Sequence, residues 1–383
     1  MKARLLPEAY ISEDWFKKEQ RLLFRPLWQF VAPKMLLSKN NAFVRRNVAG
    51  IDIVIQNFNG EIRAIENICL HRQSPLQTEP HGIRPLVCGY HGWKYDSDGK
   101  VSNIPFQESS YRLTDCERHS LKARTFSIHC FGNLIFVNVS EKHLAFEEQF
   151  SLSELESLQQ ASELFDDEVL FTTFHTKMNW KLVYENLRDA LHPRFLHANT
   201  VYKQVKFQER IDQNDFNHAK EYINAESVSR DEHFSTLRSF SGGGLNEPMP
   251  NMPSYAWHQF VERYGNDNWY LNWLIYPNLH IASGSGGYSF IIEHHQPISA
   301  SRTDLMVYYV TGKKKRQYST SAAVLLAHIE GAEKVLSEDI DMMEQIQLAL
   351  HADSPSAFLG DFEYTNQKIE RWYLDVMEGK HEI

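Results

Sequence analysis

Apolar side chains at Trp15, Leu22, Leu23 and Leu27, with charges between them, predict a helix between Ser12 and Phe30. It should break near Pro26, which has no backbone donor and crowds the preceding turn. From Ala42 to Val139 the texture changes to short strands. Ile51-Asp52-Ile53-Val54-Ile55 alternates, Leu134-Ile135-Phe136-Val137 reads as a buried strand, and Asn59-Gly60 and Asp98-Gly99 are hairpin signals. Helices are expected around Leu152 to Leu164 and from Trp180 to about His192. Strands return between Trp257 and Val310, with turns at 265–268 and 283–287, as in an antiparallel meander. A long amphipathic helix should run from about Thr320 to Leu350 and a last one from Asn366 to Met377. Tyr202 to Met252, with its Ser241-Gly242-Gly243-Gly244 tract, has little periodicity and is expected to be loop, a lid over a pocket. The pattern implies an α+β fold: a helical segment over 1–40 that packs on the larger domain, a small all-β domain over 41–145, and a larger domain over 146–383 whose antiparallel sheet is packed by helices.

Composition narrows the function classes. A chain of 383 residues, 42% hydrophobic, can bury a core large enough for two domains. Its net charge of −9 argues against a nucleic-acid footprint. The dense basic run, Lys313-Lys314-Lys315-Arg316, reads as a solvated hairpin tip, with docking of an acidic electron-transfer partner as the other reading. No signal peptide and no long apolar span are visible, so a cytoplasmic location is expected, with no membrane contact and with Cys116 and Cys130 reduced. No glycine-rich phosphate loop in a proper context is present, so neither NADH nor flavin is expected to bind here.

Chemistry concentrates in two places. Cys69-Leu70-His71 and Cys88-Gly89-Tyr90-His91, separated by sixteen residues, each supply one thiolate and one imidazole. Two thiolates on one iron and two imidazoles on the other make a Rieske [2Fe–2S] centre, with a potential above that of an all-thiolate cluster. The same four side chains could close a tetrahedral zinc shell, although zinc motifs usually put Cys beside Cys and His beside His. Cys88-Gly89-Tyr90-His91-Gly92-Trp93-Lys94-Tyr95 resembles the second ligand loop of the Rieske family, and Cys69-Leu70-His71-Arg72 resembles the first. Many relatives carry Gly after that Arg, where this chain has Gln73, so a slightly different backbone is expected there.

The second place runs from Glu185 to His197. Asp189 and His192 share a helical face, but His197, five beyond His192, would turn off it in a regular helix. Pro193 should end or bulge the helix at His192 and let both imidazoles meet at one point. Taken alone, two histidines near a helix end are read as structural. With Asn179-Trp180-Lys181-Leu182 and Glu185-Asn186 before it, however, Asp-x-x-His-x-x-x-x-His resembles the mononuclear-iron segment of Rieske non-haem iron oxygenase α subunits, including the aromatic-ring-hydroxylating and choline-monooxygenase-like members. That resemblance spans nearly the whole chain and implies a Rieske domain followed by a helix-grip catalytic domain.

It also implies iron held by His192, His197 and a carboxylate from a late helix, with open positions for dioxygen. Asp339 falls within the apolar stripe of Leu336, Ile340 and Met343 and is the first choice, with Glu344 and Asp341 as substitutes; the alternative is a capping or partly exposed Asp. Asp189 would bridge His192 to His91 of a neighbouring copy. His294 and His295 should point to opposite faces of a strand, one to solvent and one to core, and His280 reads as a hydrogen-bonded core residue.

What the resemblance implies is a terminal oxygenase. It would take electrons from NAD(P)H through a separate reductase, with or without a ferredoxin, and activate O2 at Fe(II) to hydroxylate a small, aromatic molecule. A homotrimer is expected, with or without a β subunit. Two other readings stay open: a monooxygenase or demethylase of a quaternary ammonium compound, and an electron carrier or sensor with a non-catalytic ligand-binding domain.

Overall fold

The computed structural model describes residues 5–150, 152–188, 191–203, 241–243, 247–248, 252, 254–316, 320–360 and 363–380. The chain divides into two compact units, one of Phe24–His143 and one of Met1–Leu23 with Leu144–Ile383.

The smaller unit is built on strands β1 (Gln29–Pro33), β2 (Ala42–Val48), β3 (Ile51–Phe58), β4 (Glu61–Glu66), β5 (His81–Ile83), β8 (Thr125–Phe131) and β9 (Leu134–Asn138). They form an antiparallel sheet in the order β1-β9-β8-β4-β3-β2-β5, and β6 (Lys94–Tyr95) and β7 (Val101–Asn103) make a separate hairpin. Asn59 and Gly60 both take positive φ, 54° and 98°, the geometry a two-residue hairpin needs to match strand twist. The helix α1 (Asp115–Ser120) carries a capping box from Thr114 and Glu117. Phe30, placed in a helix by its sequence, lies in β1 and pairs with Phe136. The smaller unit therefore begins at Phe24, not 41.

The larger unit opens with two short helices, α2 (Glu8–Ile11) and α3 (Glu13–Glu19), the second capped by Ser12 and continued by a π turn over Gln20–Phe24. After α4 (Phe146–Gln149) and α5 (Leu152–Glu163) come β10 (Phe165–Thr176), α6 (Trp180–Leu187) and α7 (His192–Leu196). Then follow β11 (Ser241–Gly243), β12 (Glu247–Pro248), β13 (Trp269–Ile275), β14 (Leu279–Ser283), β15 (Ser289–Ser299), β16 (Arg302–Gly312), α8 (Ala322–Ala349) and α9 (Tyr364–Met377). The sheet order is β10-β16-β15-β14-β13-β11, all antiparallel, with β12 also on β13. Leu325, Ile329, Leu336 and Ile340 of α8 pack on Leu305, Val307 and Tyr309 of β16, so the long helix lies against the curled sheet.

Three expectations are corrected here. Ser241-Gly242-Gly243 is an edge strand paired with Trp273–Ile275, and the rest of 202–252 lies mostly outside the described residues. In the basic run Lys313, Lys315 and Arg316 are exposed as expected, but Lys314 is half-buried, its ammonium 3.2 Å from Asp166 and 3.0 Å from Glu168. His294 and His295 are both buried, because β15 is covered on both faces.

The N-terminal arm is tied to α6 by a buried ion pair. Lys181 Nζ donates to Glu19 Oε1 at 2.6 Å, Trp180 Nε1 donates to Glu19 Oε2 at 3.0 Å, and the Tyr373 hydroxyl donates to Glu19 as well. Burying such a pair is costly unless the remaining lone pairs are satisfied, as they are here. The ammonium also lies 5.2, 5.0 and 5.5 Å from the ring centroids of Tyr10, Trp180 and Tyr373, an aromatic enclosure for a cation.

Candidate metal centres

In the smaller unit, two tight loops carry the Cys and His pairs. The first is closed by Gln73 N donating to Cys69 O at 2.8 Å and the second by Gly92 N donating to Cys88 O at 3.0 Å. Gln73 has φ 59°, so the loop keeps a left-handed residue where glycine would adopt it freely. The sequence difference leaves the backbone strained at one residue.

Cys69 and Cys88 are buried, and the rings of His71 and His91 stand 4.5 Å apart at 75°. Trp93 stacks on His71 at 5.0 Å, and Tyr111 Oη lies 3.3 Å from His71 Nε2. Burial, then the neighbouring His91 and Arg72 charges, lowers the His71 pKa. Burial also raises Cys88, but the Ser74 hydroxyl, 3.1 Å from Sγ, and the Tyr90 and His91 amides bring it below its ordinary value. Tyr95 donates to Cys69 Sγ at 3.4 Å. His71 Nδ1 and His91 Nδ1 are buried without a hydrogen-bond partner among the described residues. A buried imidazole nitrogen is rarely left so, and bonds to a metal cluster would satisfy both. The donor set fits a [2Fe–2S] group with mixed ligands.

In the larger unit, α6 ends at Leu187, earlier than its sequence suggests, and a new short helix starts at His192. Pro193 sits in the first turn of α7, where its missing amide and fixed φ are tolerated, so it opens a helix instead of closing one. His197 follows in a 3-10 turn, His197–Asn199. The break turns the two imidazoles toward α8, with ring centroids 5.4 Å apart.

Asp339 Oδ1 lies 3.5 Å from His192 Nε2 and 3.3 Å from His197 Nε2, and the three ligand atoms fall within 4.8 Å of one another. Asp339, Met343 and Gln347 lie at intervals of four along the buried side of α8. Asn186 Nδ2 donates to Asp339 Oδ1 at 3.1 Å, and Gln347 Oε1 accepts from Asn179 N at 2.8 Å, so one stripe of α8 reads onto α6. The competing acids turn elsewhere: Asp341 is exposed, and Glu344 accepts from Lys177 N at 2.7 Å. Burial acts to lower the His197 pKa, but hydrogen bonds and charge from Asp339 and Glu338 outweigh it and raise the value. Two imidazoles and one carboxylate converging on a single point fit a mononuclear ferrous ion with open positions.

A cavity of about 550 Å³ reaches His192. Residues 166–379 match the ring hydroxylating alpha subunit (catalytic domain) family, and residues 27–131 match the Rieske [2Fe-2S] domain. The chain belongs to the ring-hydroxylating α-subunit family. Its two domains imply a Rieske cluster and a mononuclear iron. This α subunit is 25% identical over 210 residues to the large oxygenase component of salicylate 5-hydroxylase from Ralstonia sp., covering 50% of this chain and 48% of that one. It is 25% identical over 187 residues to the carnitine monooxygenase oxygenase subunit of Acinetobacter baumannii, covering 48% and 49%. The α subunit thus matches these curated relatives over about half their length. Its fold is that of naphthalene 1,2-dioxygenase from Rhodococcus sp. bound to indole, with TM-score 0.72 and 15% identity over 99% of this chain and 95% of that one.

Of the residues singled out in the sequence, the structure brings His192, His197 and Asp339 together, and both Cys and His pairs together, while Asp189 lies outside the described residues. Sequence reasoning gave no role to Asn186, Glu338, Ser74 or Tyr95. The Glu185-Asn186 motif held the signal for the first; the others act through partners on distant segments. His280 is, as expected, a buried hydrogen-bonded residue, held by Glu293 and Asn272 at 3.0 Å each. Among the described residues, no helix is long and apolar enough to cross a membrane.

Proposed function

We propose that this α subunit is a terminal oxygenase that hydroxylates a small aromatic molecule. One observation carries the reading: the His192–His197–Asp339 trio, whose His192 lines a cavity, occurs in one chain with a two-thiol, two-imidazole set. Cys69, His71, Cys88 and His91 would hold the cluster, and His192, His197 and Asp339 the iron. When bound, these groups supply single electrons and a site where dioxygen is activated.

The chain's own residues do the rest. Asn186 holds one oxygen of Asp339, which limits rotation of that carboxylate. Phe195, Leu196, Met342, Met343 and Ile346 give the cavity an apolar wall beside His192, which would hold a ring near the metal and exclude water. The lining also carries Glu185, Glu363 and Glu370. Among the described lining residues Lys181 is the one ammonium or guanidinium, and it is engaged by Glu19, so a neutral arene fits better than an aromatic acid. The aromatic enclosure that could favour a quaternary amine is filled by the same Lys181.

Electrons would come from NAD(P)H through a separate reductase, with or without a ferredoxin. Asp189 would link His192 to His91 of a neighbouring copy in a trimer, with or without a β subunit. Metal analysis and an oxygen-uptake screen with a surrogate reductase test the reading. Three irons and two labile sulfides per chain are expected, with coupled product from apolar arenes ahead of aromatic acids and quaternary amines. Two irons per chain and no product from any of the three would leave an electron carrier instead.

A further inference from the structure

We propose that Glu338 is a positioning residue that sets the tautomer and angle of the His197 imidazole, an inference that rests on reading the His192–His197–Asp339 trio as an iron site. His197 is 3% exposed, so the nitrogen facing away from the trio calls for a hydrogen-bond partner within the fold. That nitrogen, Nδ1, lies 2.9 Å from Glu338 Oε2, while Nε2 lies 3.3 Å from Asp339 Oδ1. Consecutive residues of a helix project about 100° apart. With that angle between them, Glu338 and Asp339 reach opposite nitrogens of one ring.

The acceptor is itself fixed. Thr200 Oγ1 donates to the same Glu338 oxygen at 2.7 Å, and Thr200 N donates to His197 O at 3.2 Å, so the turn that presents the ring also pins the carboxylate. A carboxylate accepting from Nδ1–H would leave the lone pair on Nε2, the nitrogen nearer Asp339, available to a metal and would make that nitrogen more basic. Without it the imidazole can turn or adopt the other tautomer, and a ligand is lost for part of the time.

The test uses the full chain with its cluster in place, in wild type, E338A, E338Q, T200V and H192A. Ferrous-iron affinity is read by chelator competition, the cluster by its visible spectrum, and folding by the melting temperature. E338A should weaken iron binding by about 10- to 100-fold with an unchanged cluster spectrum. E338Q, whose amide oxygen still accepts from Nδ1–H, should recover most of that affinity, and T200V should give a smaller drop than E338A. Equal affinity in E338A and wild type would overturn the proposal. So would an equal loss in E338A and E338Q that follows their melting temperatures, because Glu338 would then be structural only. If wild type and H192A bind iron alike, the iron site itself is misread, and the role of Glu338 goes with it.

Discussion

Glu185 shows how much one side chain's surroundings can decide. Burial pushes its pKa up to about 7; the Tyr10 hydroxyl, donating at 2.5 Å, and Lys181 oppose the shift, and the Glu370 and Glu363 charges add to it. In the unfolded chain the group titrates near its ordinary 4.5, so between about pH 4.5 and 7 the folded state binds the extra proton. Stability should therefore fall as pH rises through that window. In Glu185→Gln the fall should be shallower, as measured by denaturant unfolding at several pH values; an identical slope in both proteins would contradict the buried, protonated carboxyl. Asp339 was legible in the sequence because its place in an apolar stripe made a buried carboxylate that needed a partner. Glu338 was not, because its partners His197 and Thr200 lie more than a hundred residues away, and no local spacing records that they meet.

At the scale of elements, the hydrophobic period located the long helix and the meander, but not the break between α6 and α7. Pro193 is compatible with either end of a helix, and tertiary contacts chose the beginning. The attachment of α8 depends on a charge that sequence could not assign. Glu168 on β10 accepts from Ser321 N at 2.7 Å, from Ser321 Oγ at 2.9 Å and from Thr320, and it pairs with Lys314. Although burial opposes it, these bonds lower the Glu168 pKa to about 2. This contribution is complete above the ordinary value of 4.5 and is lost as pH falls toward 2. Glu168→Gln should destabilise the chain by roughly 1–2 kcal/mol at neutral pH, somewhat below the figure for a fully buried charged hydrogen bond. The difference from wild type should shrink on acidification, and a constant difference from pH 6 to 2 would argue against the ionised anchor.

For the whole molecule, the sequence motifs and the two compact units agree on a small β unit holding one donor set and a larger unit holding the other. The proposed bridge through Asp189 makes a demand on assembly. A chain that lacks its cluster through Cys88→Ala and a chain that lacks its iron through His192→Ala should each be inactive. Refolded or co-expressed together, they should recover a fraction of wild-type turnover, because an electron from one copy can reach the iron of another. No recovery in a verified mixed oligomer would confine electron flow to a single chain.

The enclosure around Lys181 has one more implication. Three rings and a carboxylate already form a receptor for a positively charged head, and the protein occupies it with a tethered guest of its own. Shortening that guest would leave the host standing beside the cavity, so a change of one codon would open a place there for a free methylated ammonium ion.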